Sequence, residues 1–394
     1  MKKALLSLAI GGFGIGLTEF VIMGILPEIA NAFQISIPEA GHFISAYALG
    51  VVVGAPTLTA LASRWPAHKV LFGLMIWFTV FNTLSAFATG YTSFILLRFL
   101  SGLPHGAFFG IGAVVAGKLA KKGKEAQAIS IMFGGLTIAN LLGVPMATFL
   151  GKYFNWSIAF LLAGMIGLLT MLTIKLWMPP LKKSSDSNIL AEFRIFKRLE
   201  LWLTILLTAI GTGGFFAWYS YIAPLITEVA GHPESVVPYA MVLAGLGMVF
   251  GNFIGAKMAE RFSPIYAVII TLILITFMLV ANTFLAYDKI AVLVMTFLIG
   301  AGSFCIVTPV QMVIIKASKG GETLGSSLNQ SSFNIGNALG AYLAGLPIAM
   351  GYGFTSADWV GAGIASVGIL FAFSIIMVRK RKAKQQAELK PAFS

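Results

Sequence analysis

The chain of 394 residues is 58% hydrophobic and only 10% charged, with a mean hydropathy of +0.90. A soluble domain carries roughly 25% charged residues, so these side chains cannot clothe a water-facing surface. The composition excludes a soluble enzyme or binding module and indicates a polytopic membrane protein. Its single cysteine, Cys305, rules out an internal disulfide and any cysteine-rich metal or redox site.

Near the start, MKKALLSLAIGG imitates a signal peptide, and Ala30-Asn31-Ala32 offers a small-x-small cleavage site. The apolar core is about twice too long for such a peptide, and Pro27 and Glu28 precede the supposed cut. We read it as a first transmembrane helix that stays. A spanning helix needs roughly 20 mostly apolar residues. Twelve stretches qualify, near 4–31, 40–62, 70–89, 93–117, 126–150, 158–178, 201–227, 236–257, 264–284, 289–315, 323–349 and 357–378. The short alternating strands of a membrane barrel are missing, so the expectation is an all-α membrane protein of twelve helices.

Placing both termini in the cytoplasm puts 24 of the 27 Lys and Arg residues on that side. They include Lys2 and Lys3, Arg64 and Lys69, Lys182 and Lys183, Arg261, and a tail ending at Lys390. The net charge of +13 is therefore a topology signal rather than a nucleic-acid patch. Only Lys152 and Lys289 fall outside, and Arg98 lies within a span.

Glu19 sits deep in the first span, within GLTEFVIMGILPEI. A charge at the bilayer centre costs roughly 2.5–3.5 kcal/mol on insertion scales, so such residues face a cavity or a partner. With Glu19, only Arg98 and His105 are titratable and deep by these boundaries. Glu19 lies about 15 residues from the inner end, roughly 22 Å at 1.5 Å per residue. Arg98 enters from the outer end of an antiparallel span and lies roughly 8 Å down. In a core of about 30 Å these levels coincide. A carboxyl whose ionisation depends on a nearby cation and on water can couple proton binding to a conformational change. The other reading is a fixed salt bridge between the first and fourth spans. His105 is a candidate proton relay or a packed, hydrogen-bonded histidine.

RFLSGLPHGAFFG, residues 98–110, sets Gly102, Gly106 and Gly110 at four-residue spacing, giving one small helix face. GGLTIANLLGVPMATFLG, residues 134–151, combines Gly134, Gly143 and Gly151 with Pro145. It describes a bent helix with a thin side, suited to sliding against the opposite half. Residues 179–200 form the longest connection, opening on a Pro pair and becoming amphipathic, with Leu190, Phe193, Ile195 and Phe196 beside Arg194, Lys197 and Arg198. This is expected to be a cytoplasmic tether on the membrane surface. It separates an N-terminal bundle, 1–178, from a C-terminal bundle, 201–378, with a basic tail at 379–394.

The halves look duplicated. ILPEIA at 25–30 matches LITEVA at 225–230, while Gly50, Gly54, Arg64, Asn140 and Gly143 match Gly247, Gly251, Arg261, Asn337 and Gly340 at a shift of 197. Two six-helix halves related in parallel fit secondary transporters with a cavity between them. The second half offers Tyr219 where the first has Glu19, in an aromatic set of Phe215, Phe216, Trp218 and Tyr221. Its other polar groups are neutral: Asn252, Gln311, Asn329, Gln330, Asn334 and Asn337. We expect the first half to handle protons through Glu19, Arg98 and His105. Substrate contacts are expected from Phe20, Asn140, Phe215, Trp218, Tyr219, Tyr221, Gln311 and Asn334. There is no GxxxxGK[ST] loop, no cluster with metal-ligand spacing and no nucleophile–base pair, so no cofactor or metal is expected.

These segments resemble the major facilitator superfamily, above all its twelve-helix drug:proton antiporter branch with the AraJ-type, arabinose-operon and sugar-efflux permeases. TEFVIMGILPEIA is similar to the acid-bearing first helix of that group, which implies proton coupling by Glu19. RFLSGLPHGAFFG resembles the arginine–glycine motif of helix 4, implying that Arg98 takes part in proton transfer or holds the acid. GGLTIANLLGVPMATFLG resembles the antiporter motif of helix 5, which implies export. One departure lies at LASRWPAHK, where Ser63 replaces the family's acid, Arg64 is retained and Pro66 stands for glycine. Glu260 and Arg261 in the matching loop are the candidate replacement latch. The resemblance implies a proton-driven exporter of drug-like compounds or sugars, a monomer in the bacterial inner membrane. The alternative is a sugar or nucleoside permease, either a facilitator or a proton symporter.

Overall fold

A computed structural model describes residues 2–35, 37–62, 64–181 and 193–389. The expectations for Ser63, Lys182, Lys183, Leu190 and Lys390 lie outside them. Six helices form a first bundle: α1 (Lys2–Gly24), α2 (Ile37–Ala62), α3 (Ala67–Ser85), α4 (Tyr91–Leu119), α5 (Glu125–Tyr153) and α6 (Ser157–Trp177). Six more form the second: α7 (Leu199–Tyr219), α8 (Val237–Phe262), α9 (Pro264–Leu285), α10 (Lys289–Ala317), α11 (Glu322–Ala349) and α12 (Ser356–Leu389). With an even number of crossings both termini share one face, called here the terminal face; the opposite one is the far face.

Eleven of these helices are long and apolar enough to cross a membrane. The twelfth, α11, has the length but carries a polar run, SSLNQSSFN. That run is affordable because Ser326, Ser327, Asn329, Gln330, Ser331, Ser332 and Asn334 are all buried in the protein rather than in lipid.

Local chemistry explains the breaks. The α1 helix stops at Gly24 and resumes as Leu26–Phe33, where Pro27 has no N–H to continue the ladder. In α5, Pro145 likewise cannot donate, and the backbone upstream widens into a π-turn at Ala139–Gly143. The glycines of this helix mostly face α1 and not the other bundle. A Cβ on Gly143 would sit 2.8 Å from Phe13, and Gly151 packs on Ile25. Only Gly134 looks across, toward Phe253 at 3.5 Å. The thin side therefore binds α5 within its own bundle.

The duplication is visible as repeated backbone contact. Gly50 and Gly54 of α2 press on the carbonyls of Phe99 and Leu103 in α4, and Gly247 and Gly251 of α8 press on those of Phe297 and Ala301 in α10. Gly102 meets the Tyr47 carbonyl as Gly300 meets that of Ala244. The turns entering α5 and α11 match too. Gly123 (φ +80°) donates its N–H to Glu125 at 3.1 Å, and Gly320 (φ +87°) donates to Glu322 at 2.9 Å.

The bundles meet tightly at the terminal face. Thr59 donates to Ser327 (2.7 Å), Ser326 to the Gly110 carbonyl (2.8 Å) and Ser331 to that of Val52 (3.1 Å). Asn252 and Ser130 exchange bonds with each other's backbone carbonyls. Glu260 takes Lys124 at 2.9 Å and the Gln127 N–H at 3.1 Å, whereas Arg261 folds over Phe262 and Arg64 is exposed. Of the two residues expected to form the substitute latch, the acid reaches across and the arginine does not. The segment after the linker, Phe193–Lys197, buries Ile195 against Leu201, Ile314 and Leu324. It docks on the second bundle rather than lying free on a membrane surface.

A Cβ on Gly54 or Gly251 would drive into a carbonyl-bearing backbone, while one on Gly73 would meet nothing within 4 Å. Gly54→Ala and Gly251→Ala should each lose about 1–3 kcal/mol through overpacking, read as similar drops in the thermal unfolding temperature. Gly73→Ala should leave that temperature unchanged or raise it.

Candidate functional site

Above the terminal-face seal lies a central cavity with about 690 Å³ of space between atoms, including the region where it opens. The first bundle contributes Glu19, Phe20, His105, Phe133 and Leu136; the second contributes Thr212, Phe215, Phe216, Phe304 and Phe333, with Gln330, Asn334 and Asn337. The three amides fall at i, i+4 and i+7 of α11 and so share one face. The walls are aromatic, and the only charged side chain among the lining residues is Glu19.

Glu19 is half-buried. No hydrogen bond or ion pair to it is found among the described residues, whose ion pairs are Lys124–Glu260 and the contacts of Arg379 and Lys382 with Glu200. Arg98 sits at the level the depth argument predicts but turns elsewhere. It is fully buried and absent from the cavity lining. Its Nη1 donates to Thr18 Oγ1 (3.1 Å) and its Nη2 to the Thr18 carbonyl (3.2 Å). Its guanidinium carbon lies 4.4 Å from the Tyr47 ring centre and 5.5 Å from that of Phe160. Thr18 in turn donates to Asn82. A buried guanidinium must find acceptors and aromatic faces close by; here the Nη atoms find them, Nε is left without a partner, and no hydrogen bond or ion pair is formed with the acid beside it.

Tyr47 joins Arg98 to the buried imidazole of the first bundle. Its ring lies under Arg98 while its hydroxyl meets His105 Nδ1 at 3.2 Å. His105 also packs on Phe109, with ring centres 5.3 Å apart. The chain Thr18–Arg98–Tyr47–His105 thus runs behind the cavity wall and reaches it at the histidine. Gly106 makes this approach possible, since a Cβ there would collide with Ala55 and stand 3.3 Å from Gln330 of α11.

Several expected substrate contacts lie outside the cavity. Asn140 is spent within its helix, donating to the Leu136 carbonyl at 3.1 Å, and abuts Gly245 of α8. Gln311 is wholly buried below the cavity floor, bonded to Ser326, to Asn329 at 2.7 Å and to Gln330 at 3.3 Å. Tyr219 stacks behind Phe215 at 5.0 Å, Trp218 packs beside them, and Tyr221 donates to the Ala341 carbonyl at 3.2 Å. Gln311 braces the cavity amide Gln330, and Trp218 and Tyr219 support Phe215. Sequence reading missed Phe133, Phe304 and Phe333, because nothing separates three cavity phenylalanines from the other members of a set of 32. It also missed Tyr47 and Thr18, although Asn82, a lone amide in an apolar span, was a usable signal.

A wider vestibule, about 1720 Å³ counting the open solvent at its mouth, opens on the terminal face. Its charged lining is repeat-related: Lys118 with Lys316, and Glu125 with Glu322.

Residues 8–326 match the Major Facilitator Superfamily. Over 388 residues, 98% of both chains, this chain is 37% identical to the "Putative transporter AraJ" of Escherichia coli K12. It is 26% identical over 378 residues to a chloramphenicol resistance protein of Streptomyces lividans, covering 95% of this chain and 96% of that one. The crystal structure of the transporter FucP in the outward conformation superposes with a TM-score of 0.78 at 15% identity, over 94% of this chain and 98% of that one.

Thr18 is the point on which the buried arginine depends. Thr18→Val removes the acceptor for Nη1 and the donor to Asn82, and should cost about 1.5–3 kcal/mol, as for hydrogen bonds to charged groups. Thr18→Ser should retain most of that stability, read by thermal unfolding of the purified protein in detergent.

Proposed function

The chain belongs to the major facilitator superfamily and is a multi-pass membrane transporter of small molecules, and on that premise we propose that it exports amphipathic, drug-like compounds in exchange for protons. The observation that carries this reading is an unpartnered carboxylate, Glu19, as the sole charge on an aromatic cavity. An aromatic wall attracts apolar and cationic bodies alike. A lone acid in such a wall favours a cationic or neutral guest and disfavours an anion.

Exchange follows from competition for one site. A proton and a substrate cation both neutralise Glu19, and once one is bound the other has nothing left to neutralise. With the terminal face cytoplasmic, as the basic residues indicate, the sealed state described above faces outward. A proton arriving there displaces the guest. Rocking of the bundles connects the cavity to the vestibule lined by Lys118 and Lys316, the proton leaves to the more alkaline side, and a new guest takes its place. Each pH unit of gradient is worth about 1.4 kcal/mol per proton, tenfold in accumulation. The similarity to a chloramphenicol resistance protein supports export of a drug-like molecule. His105, which lines the same cavity and is joined to Arg98 through Tyr47, is positioned to sense the charge on Glu19.

A second reading rests on Gln330, Asn334 and Asn337, whose shared helix face offers paired donors and acceptors to a polyhydroxylated sugar or nucleoside. It would make the protein a permease for such compounds.

Proteoliposomes with an imposed pH gradient test the proposal. Wild type should accumulate a fluorescent lipophilic cation on the acidic side and reverse when the gradient is reversed. Glu19→Gln should abolish that accumulation while leaving binding of a neutral analogue within a few-fold. Full gradient-driven transport by Glu19→Gln would refute the coupling role. Accumulation of a sugar on the alkaline side would establish the symporter reading instead.

A further inference from the structure

The second bundle buries an acid that the cavity does not use. Asp358, in the first turn of α12, is 0% exposed, and the nearest polar side chain, Asn282 of α9, is 1% exposed. Asn282 Nδ2 donates to Asp358 Oδ2 at 3.0 Å. The other two oxygens of the pair, Asn282 Oδ1 and Asp358 Oδ1, are buried and have no partner. Both atoms are acceptors when the carboxyl is ionised, so neither can satisfy the other, and each orphan costs about 1–3 kcal/mol.

Among the described residues, no cation is paired with Asp358. On α9 there is no charged residue, and its only tyrosine, Tyr266, lies at the opposite end. On α7 the charged residue is Glu200, at the terminal face and bound to Arg379; the helix ends at Tyr219, and just beyond it Tyr221 packs on the Ala217–Ala344–Ala357 cluster. On α11 the charged residue is Glu322, also at the terminal face, and Tyr342 is exposed. The arginines and lysines of α12 begin at residue 379, at its other end. Beyond α9, Asp288 caps α10 and Lys289 is exposed. Beside the pair, Ala357 clusters with Ala217 and Ala344 under Tyr221, Ile348 and Val360, and Gly361 packs on Gly214 and Leu279.

We propose that Asp358 is a second proton-binding site of this transporter, separate from the cavity, in which a proton on the carboxyl closes a two-bond ring with the Asn282 amide. The proton comes from water and adds to Oδ1, which becomes a donor to Asn282 Oδ1, while Nδ2 continues to donate to Oδ2. One proton satisfies both orphan atoms and removes the buried charge. A metal cation is the poorer fit, since hard cations take about six oxygen ligands and two are available. The ring staples α9 to α12 beside the glycine contact of α7 on α12, where the cavity-lining part of α7 begins.

The same construction occurs in the first bundle with the sign reversed. Asn82 and Asn282 each stand three residues before the end of their helices, α3 at Ser85 and α9 at Leu285. Asn82 takes the Thr18 hydroxyl that serves Arg98, whereas Asn282 serves an acid.

Infrared difference spectroscopy on the purified protein tests this, in a Glu19→Gln background so that the cavity acid is silent. The carbonyl stretch of a protonated carboxylic acid should be present, shift in D2O, and vanish in the Glu19→Gln/Asp358→Asn double variant. Asp358→Asn can still form a ring through its amide N–H, so it should fold with wild-type thermal stability; Asp358→Leu strands Asn282 and should lower the unfolding temperature. A spectrum unchanged by Asp358→Asn would overturn the proposal. So would a carboxylate band at Asp358 that responds to added sodium, which would make the site one for a metal cation. Neither result bears on Glu19, whose role is read from transport.

Discussion

A guanidinium cannot be left bare in hydrocarbon, and the way Arg98 is accommodated decides what the rest of the first bundle can do. Its Nη atoms are committed to Thr18 and its faces to Tyr47 and Phe160. Had it paired with Glu19 instead, the bridge would have locked α1 to α4 and neutralised the cavity. Because the threonine and the rings hold the Nη atoms, no hydrogen bond or ion pair ties the cation to the acid next in sequence, which is left facing the cavity. The proposed exchange of proton for cation needs that open carboxyl and nothing more elaborate.

Rigid halves and a weak seam follow from the same residue types used differently. Within each bundle, glycines bring backbones into contact at α2–α4 and α8–α10, and such packing tolerates no gradual deformation. Between bundles the terminal-face contacts are serine, threonine and asparagine hydrogen bonds and one partly exposed ion pair, with glycine packing confined to a few points such as Gly110 on Ser327. Neutral bonds contribute about 0.5–1.5 kcal/mol each, and water can replace them once the face opens. A seam of this kind can part without disturbing either half.

Much of the architecture was legible in the chain. Span count, the shift-197 repeat and the shared level of Glu19 and Arg98 all follow from hydropathy, spacing and helix rise. What was hidden is chiefly direction. Asn140, Gln311 and Tyr221 are polar groups in membrane helices, yet each turns to a neighbouring carbonyl, carboxamide or helix rather than to the cavity. A side chain's azimuth depends on bundle geometry that no single span encodes. The break in α1 and the π-turn of α5 shift the faces further. Asp358 was passed over because its span was drawn to begin one residue earlier, which made it look interfacial; α12 starts at Ser356, and packing against Asn282 buries it.

The two bundles therefore differ in more than which one carries the cavity's charge. Each places an asparagine near the end of its third helix, and that amide serves whatever ionisable group the bundle buries: a cation through Thr18 in one, an acid in the other. A cation cannot shed its charge by losing a proton in the working pH range, so Arg98 must be compensated permanently by dipoles and rings. An acid can be neutralised by taking a proton, so Asp358 needs only one amide. The asymmetry leaves Glu19 as the one acid lining the described cavity, joined to no other side chain by hydrogen bond or ion pair and open to what enters, which is the condition a coupling site has to meet.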